Sequence, residues 1–203
     1  MARVRDVPIE EVSDDLKPLY RLFTAEYGSF GNQVRIIAHS PPALRHLCGL
    51  LVEWRGSGSL PRRLVEIAVV TVSRINRCPY CIAHHGSVLV DLGIRPEAVE
   101  RILEPSPPGF DEIDVLVRDY ARLVVERAWG IRDDVFARLR RAFTERQIVE
   151  LTLRISICNL FNQFNNALQI EIEEETLADA LSRGLRGAME ERDPPPSSPP
   201  GSD

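Results

Sequence analysis

The stretch Arg62-Arg63-Leu64-Val65-Glu66-Ile67-Ala68-Val69-Val70-Thr71-Val72-Ser73-Arg74-Ile75, followed by Asn76-Arg77-Cys78-Pro79-Tyr80-Cys81-Ile82-Ala83-His84-His85, decides how this chain folds. Apolar residues surround its first part on nearly every side, as in a helix buried all round. Proline suits the first helical position, so Cys78 caps a second helix running from Pro79 to about Leu92, where Gly93 closes it. Cys81 then lies in the first turn, and residues four apart share a face, so Cys81 and His85 look the same way. A helix N-terminus contributes about 0.3–1 kcal/mol toward a thiolate. Bringing a thiol from a pKa of about 8.5 to about 7 takes about 2 kcal/mol. A second group is needed, and His85 is placed to supply it. Glu66 sits in the apolar helix and needs a partner of its own. It pairs either with Arg62 or Arg63 at the helix surface or with His85, which would complete a Glu/His/Cys proton relay.

Outward from this segment the chain reads as helix throughout: Val12 to Tyr27, Ala43 to Trp54, Arg62 to Ile75, Pro79 to Leu92, Pro96 to Leu103, Asp111 to Trp129, Asp133 to Phe143 and Glu145 to Leu168. An all-α bundle is expected. Thr144 and Gln147 form a capping box for the last helix, whose face Ile148, Leu151, Ile155, Cys158 and Phe161 should be core. Pro105-Ser106-Pro107-Pro108 is a stiff loop between two repeat-like halves. Those halves carry an echo at an offset of 84 residues, Leu64-Val65-Glu66-Ile67 against Ile148-Val149-Glu150-Leu151. The echo maps Cys78 onto Asn162, Cys81 onto Asn165 and His85 onto Gln169. Amides have no redox or acid/base use, so Asn162, Asn165 and Asn166 are expected to satisfy buried backbone or a subunit contact. Residues 1–192 form one domain, and the Pro/Ser-rich 193–203 is expected to be a disordered tail.

The 203 residues carry a formal charge of -5, which gives no basic field of the kind nucleic acid demands. No membrane-spanning run and no cleavable leader are seen, so neither nucleic acid nor membrane is an expected partner and the expected location is cytoplasmic. Four cysteines are too few for a disulfide scaffold in a chain of this length, and a close pair in a reducing compartment points to catalysis or metal binding. Cys48 and Cys158 are expected to be buried bystanders. His39 and His46 read as surface or packing residues.

The pattern Glu-x11-Cys-x2-Cys-x3-His at Glu66, Cys78, Cys81 and His85 resembles the signature of the alkyl hydroperoxidase D-like branch of the carboxymuconolactone decarboxylase family. The segment from Glu145 to Gln169 resembles the second half of such proteins. The resemblance implies an all-helical fold, a homo-oligomer (trimer or hexamer), and thiol-dependent reduction of hydroperoxides or disulfides. It further implies Cys81 as attacking thiol, Cys78 as resolving thiol, His85 and Glu66 as relay, and a Cys78–Cys81 disulfide on oxidation. A dithiol donor protein or small thiol would restore the pair, with no organic cofactor. Some members carry histidine between the cysteines where this chain has Tyr80, a poor base at neutral pH whose hydroxyl can still donate a hydrogen bond. Exposure at the helix cap argues instead that Cys78 meets a disulfide first. His84, three residues from Cys81, is a possible accessory to the pocket. Two other classes stay open: a zinc module built on Cys78, Cys81, His85 and Glu66 or His84, and a cofactor-free lactone decarboxylase in which neither thiol is needed.

Overall fold

The computed structural model describes residues 2–27 and 30–189, and the tail expected over 193–203 lies outside them. Among the described residues every regular element is helical: α1 (Lys17–Glu26), α2 (Gly31–Ile37), α3 (Pro41–Ala43), α4 (Gly49–Ser57), α5 (Arg62–Ile75), α6 (Pro79–Asp91), α7 (Pro96–Glu100), α8 (Glu112–Arg127), α9 (Asp133–Ala142), α10 (Glu145–Leu168) and α11 (Glu174–Ser182). A π-helical stretch, Leu44–Cys48, joins α3 to α4.

The helix of Arg62–Ile75 and that of Glu145–Leu168 form as the sequence dictates, the latter with the Thr144–Gln147 capping box in place. Its expected face, Ile148, Leu151, Ile155, Cys158 and Phe161, is buried. Helix α5 ends where Arg77 takes a left-handed φ of 48° and Pro79 begins α6, which Gly93 closes at φ 88°. The echoed half has no such breaker, so residues 145–168 continue as one helix instead of turning into a pair. Glu150 meets Ser59, Cys158 meets Ser73 and Asn162 meets Asn76, so α10 runs alongside α5 in the same direction.

The principal core joins α5 and α6 to α8, α10 and α11 through Ile67, Val70, Leu89, Leu116, Leu151, Ile155 and Ala180. Buried Arg118 ties down the Pro-rich connection, donating from Nη1 to the Ile102 carbonyl at 2.8 Å and from Nη2 to that of Pro105 at 3.1 Å. A second cluster gathers the N-terminal helices around Leu16, Phe23, Val34 and Leu44, with Phe161 reaching in from α10. Among the described residues no helix is long and apolar enough to cross a membrane.

Candidate active site

Between the two clusters lies a cavity of about 520 Å³. Its wall carries the aromatic side chains of Phe23, Tyr27, Phe30, Trp54 and Phe161 beside the charged Glu26, Arg55, Arg62 and Arg154, and Cys81, His85 and Glu66 also line it. The placement follows from helix periodicity. On α6, Cys81, His85 and Val88 share the cavity face, while Glu66 comes from α5 one turn beyond Arg62.

Glu66 takes both partners the sequence offered, one per oxygen. Its Oε2 meets His85 Nδ1 at 2.7 Å and its Oε1 lies 3.7 Å from Arg62 Nε. Arg63 turns away to Asp114, 3.1 Å from Nε to Oδ1. With Nδ1 engaged by a carboxylate, His85 keeps Nε2 for the cavity.

The thiols differ from expectation in two ways. Cys78, expected to be exposed at its cap, is fully buried, whereas Cys81, at 3% exposure, lines the cavity. The backbone explains this: the Cys78 N–H donates to the Ser73 carbonyl at 2.9 Å, folding the cap residue back onto the end of α5. Cys81, expected to be drawn toward the thiolate by the helix terminus, is instead held well above the usual thiol range, first by its hydrogen bond with Cys78 and then by burial. Burial in an apolar wall outweighs about 1 kcal/mol of helix dipole. Asn162 acts in the opposite direction on the same thiol. Cys158 is buried as expected, its thiol pushed up to about 12 by burial, yet it too lines the cavity.

Tyr80 and His84 occupy the other side of α6 and turn to Glu173, which the sequence reading did not single out. The Tyr80 hydroxyl donates to Glu173 Oε1 at 3.0 Å, His84 Nε2 lies 2.8 Å from Oε2, and the Asn32 N–H donates to Oε1 at 2.7 Å. Burial pushes the Glu173 carboxyl up, but its bonds from His84 and Asn32 more than reverse this and hold it below the usual range. Burial lowers His84 despite that carboxylate, so its ring is neutral at neutral pH. The Phe30 ring stacks on His84 at 4.2 Å between centroids.

The echoed amides are also more than backbone partners. Asn166 does satisfy the Asn76 carbonyl at 2.9 Å, as expected. Asn165 instead donates to Cys81 Sγ at 3.3 Å, and Asn162 donates to Ser73 Oγ at 3.2 Å. Gln33 on α2, also missed, donates from Nε2 to Asn165 Oδ1 at 2.9 Å. The sequence signal for Asn165 was its 84-residue offset from Cys81, read there as an empty copy rather than a contact. Among the described residues no three His, Cys, Asp or Glu side chains converge as metal ligands would.

Residues 41–106 match the carboxymuconolactone decarboxylase family. A search of curated proteins finds no match. Among solved structures, the alkylhydroperoxidase AhpD core of an uncharacterized peroxidase-related protein from Ralstonia eutropha JMP134 superimposes with a TM-score of 0.75 at 20% identity, covering 86% of this chain and 94% of that one. A peroxidase-related protein from Silicibacter sp. TM1040 gives 0.73 at 20% identity, covering 86% and 93%. A variant of the debrominase Bmp8 in complex with 2,3,4-tribromopyrrole gives 0.74 at 17% identity, covering 90% and 100%. The segment 41–106 is thus similar to the carboxymuconolactone decarboxylase family, and the chain as a whole has the fold of the alkylhydroperoxidase AhpD-like structures.

Proposed function

We propose that this protein is a thiol-dependent peroxidase of organic hydroperoxides, with disulfide reduction as the related activity of the same dithiol. The observation that carries the reading is the cavity that brings Cys81 together with a His85–Glu66 pair. His85 takes the Cys81 proton, the sulfur attacks the outer peroxide oxygen, the O–O bond breaks, and the proton returns to the leaving alkoxide as ROH. Cys81 is left as a sulfenic acid. The Cys78 thiol attacks it, expelling water and closing the Cys78–Cys81 disulfide, which an external dithiol then reduces. The aromatic wall favours an apolar organic group on the peroxide over hydrogen peroxide itself.

A cavity-lining thiol also favours this chemistry over a lactone decarboxylation that needs neither cysteine. A second reading follows from the debrominase neighbour and the aromatic wall: R–Br and two thiols give R–H, bromide, a proton and the same disulfide. The test is mass analysis of the reduced protein after one equivalent of cumene hydroperoxide or of a brominated pyrrole. Rapid appearance of a Cys78–Cys81 disulfide with the peroxide, lost in Cys81→Ser, supports the peroxidase. Disulfide formation with the bromide alone moves the assignment to dehalogenation, and turnover that survives Cys81→Ser sinks both.

A further inference from the structure

The Cys81 sulfur is contacted from outside the cysteine motif by a two-amide chain. Asn165 Nδ2 lies 3.3 Å from Cys81 Sγ, and Asn165 Oδ1 accepts from Gln33 Nε2 at 2.9 Å. Both amides are buried, Gln33 at 3% and Asn165 at 0% exposure. A thiolate only accepts hydrogen bonds, so an asparagine helps it only with the nitrogen end turned toward sulfur. Rotation about the last side-chain bond would exchange that nitrogen for oxygen with almost no change of shape. The Gln33 N–H removes this freedom by claiming the oxygen. Gln33 is itself fixed, because its backbone N–H donates to the Tyr80 hydroxyl at 3.3 Å, the residue between the two cysteines. The chain therefore joins α2, α10 and α6 at the reacting atom.

We propose that Gln33 and Asn165 are positioning residues that hold an amide N–H on the Cys81 sulfur and direct the anion to Cys81 rather than to Cys78. The inference rests on the reading of Cys81 as the reacting thiol. The other ionisable groups around the sulfur and along the cavity are Cys78 at the start of α6, Tyr80 and His85 on α6, Glu66 with Arg62 on α5, Cys158 and Arg154 on α10, Arg55 on α4, Glu26 on α1 and Tyr27 just after it. None of them replaces a neutral donor aimed at the sulfur. Arg62, Arg55 and Arg154 are each engaged by Glu66, Glu26 and Glu150 respectively. A hydrogen bond to a charged group is among the stronger contributions a single neutral side chain makes.

The experiment is the rate of Cys81 alkylation by iodoacetamide in the reduced, full-length chain across pH, resolved by peptide mass spectrometry. In Asn165→Leu the log-rate line is displaced by about one unit to higher pH, about tenfold slower at a given pH. Gln33→Met, which never touches the sulfur, displaces it in the same direction by less, through loss of the rotational lock. Cys48, fully buried, reports folding, since it is labelled only if the chain opens. Both lines coinciding with that of the unaltered chain overturn the proposal, as does a displacement for Asn165→Leu with none for the folded Gln33→Met variant. No peroxide enters this measurement. Displacement without peroxide turnover would therefore reject the peroxidase and keep the amide lock, and turnover without displacement would do the reverse.

Discussion

Cys81, at 3% exposure beside a second thiol, faces two penalties as a nucleophile, since burial disfavours its anion and Cys78 competes for the charge. An ordinary cysteine is a few per cent thiolate at neutral pH, and one whose pKa is raised holds about tenfold less for each unit of the rise. Cys81 therefore rests protonated, and its reaction depends on a base. On the proposed mechanism His85 fills that role, since Glu66 at 2.7 Å holds its ring and would support the positive charge the ring acquires. The sign of the pH effect follows: below its raised pKa Cys81 carries the proton, so reactivity climbs as pH rises and does not level off at neutral pH. The rate of Cys81 alkylation should increase about tenfold per unit between about pH 7 and 9, and a plateau near pH 7 would mean a resting thiolate instead. For hydroperoxide turnover, His85→Ala should cost about 10²–10⁴-fold at neutral pH, the usual worth of a positioned base. The deficit should shrink toward high pH, where the thiolate forms without help. A deficit that is constant with pH would show that His85 only shapes the cavity.

Helix α6 serves two sites through its two faces, and the second is where the sequence was least readable. The runs 62–75, 79–92 and 145–168 were legible because each joins a sustained apolar pattern to a local signal: Pro79 at a helix start, Gly93 at an end, Thr144 with Gln147 at a cap. Helix α2, seven residues of mixed polarity, and α11, opened by an acidic run, have neither signal, so Gln33 and Glu173 went unseen. Their roles come from long-range packing, the bond from Tyr80 to Glu173 spanning 93 residues. Glu173 caps α11 and collects donors from Tyr80, His84 and Asn32, thereby fastening α11 and α2 to α6. Glu173→Ala leaves three donors with no acceptor in or near the interior, an expected loss of about 1–3 kcal/mol. For a chain of this size each kcal/mol lowers Tm by about 2–4 °C. Because the folded carboxyl is held below its usual range, this contribution is present at neutral pH and lost as pH falls through the folded value, below the usual carboxylate range. Thermal melts should show the gap between the two proteins at pH 7 and its narrowing in acid. Tyr80→Phe, which removes one donor, should lower Tm by less. A gap that widened in acid would contradict the assignment.

At the scale of the whole molecule, the cavity that Cys81 lines lies at a seam between two separately packed clusters, with the N-terminal helices forming one wall and α5, α6 and α10 the other. Composition offers no hint of this space, because its lining is assembled from six helices and their connections, and no segment holds enough of it to stand out. The seam has a consequence for selectivity. A cysteine on an open surface would react with peroxides according to their intrinsic reactivity, whereas one on the wall of a cavity of about 520 Å³ that carries five aromatic side chains gains from the apolar area its substrate buries. Val65 is partly buried, lines the cavity one residue before Glu66, and has an apolar side chain with no part in the proposed proton relay, so enlarging it fills cavity space. In Val65→Phe, kcat/KM for cumene hydroperoxide should fall about tenfold, the scale of about 1.4 kcal/mol of lost binding, while that for hydrogen peroxide should change little. The same substitution should leave the pH profile of Cys81 alkylation by the small reagent iodoacetamide in place. An equal loss for both peroxides would show that the phenyl ring blocks the thiol itself. An unchanged preference for the bulky peroxide would place its organic group outside the cavity and remove the aromatic wall from any role in selecting substrate.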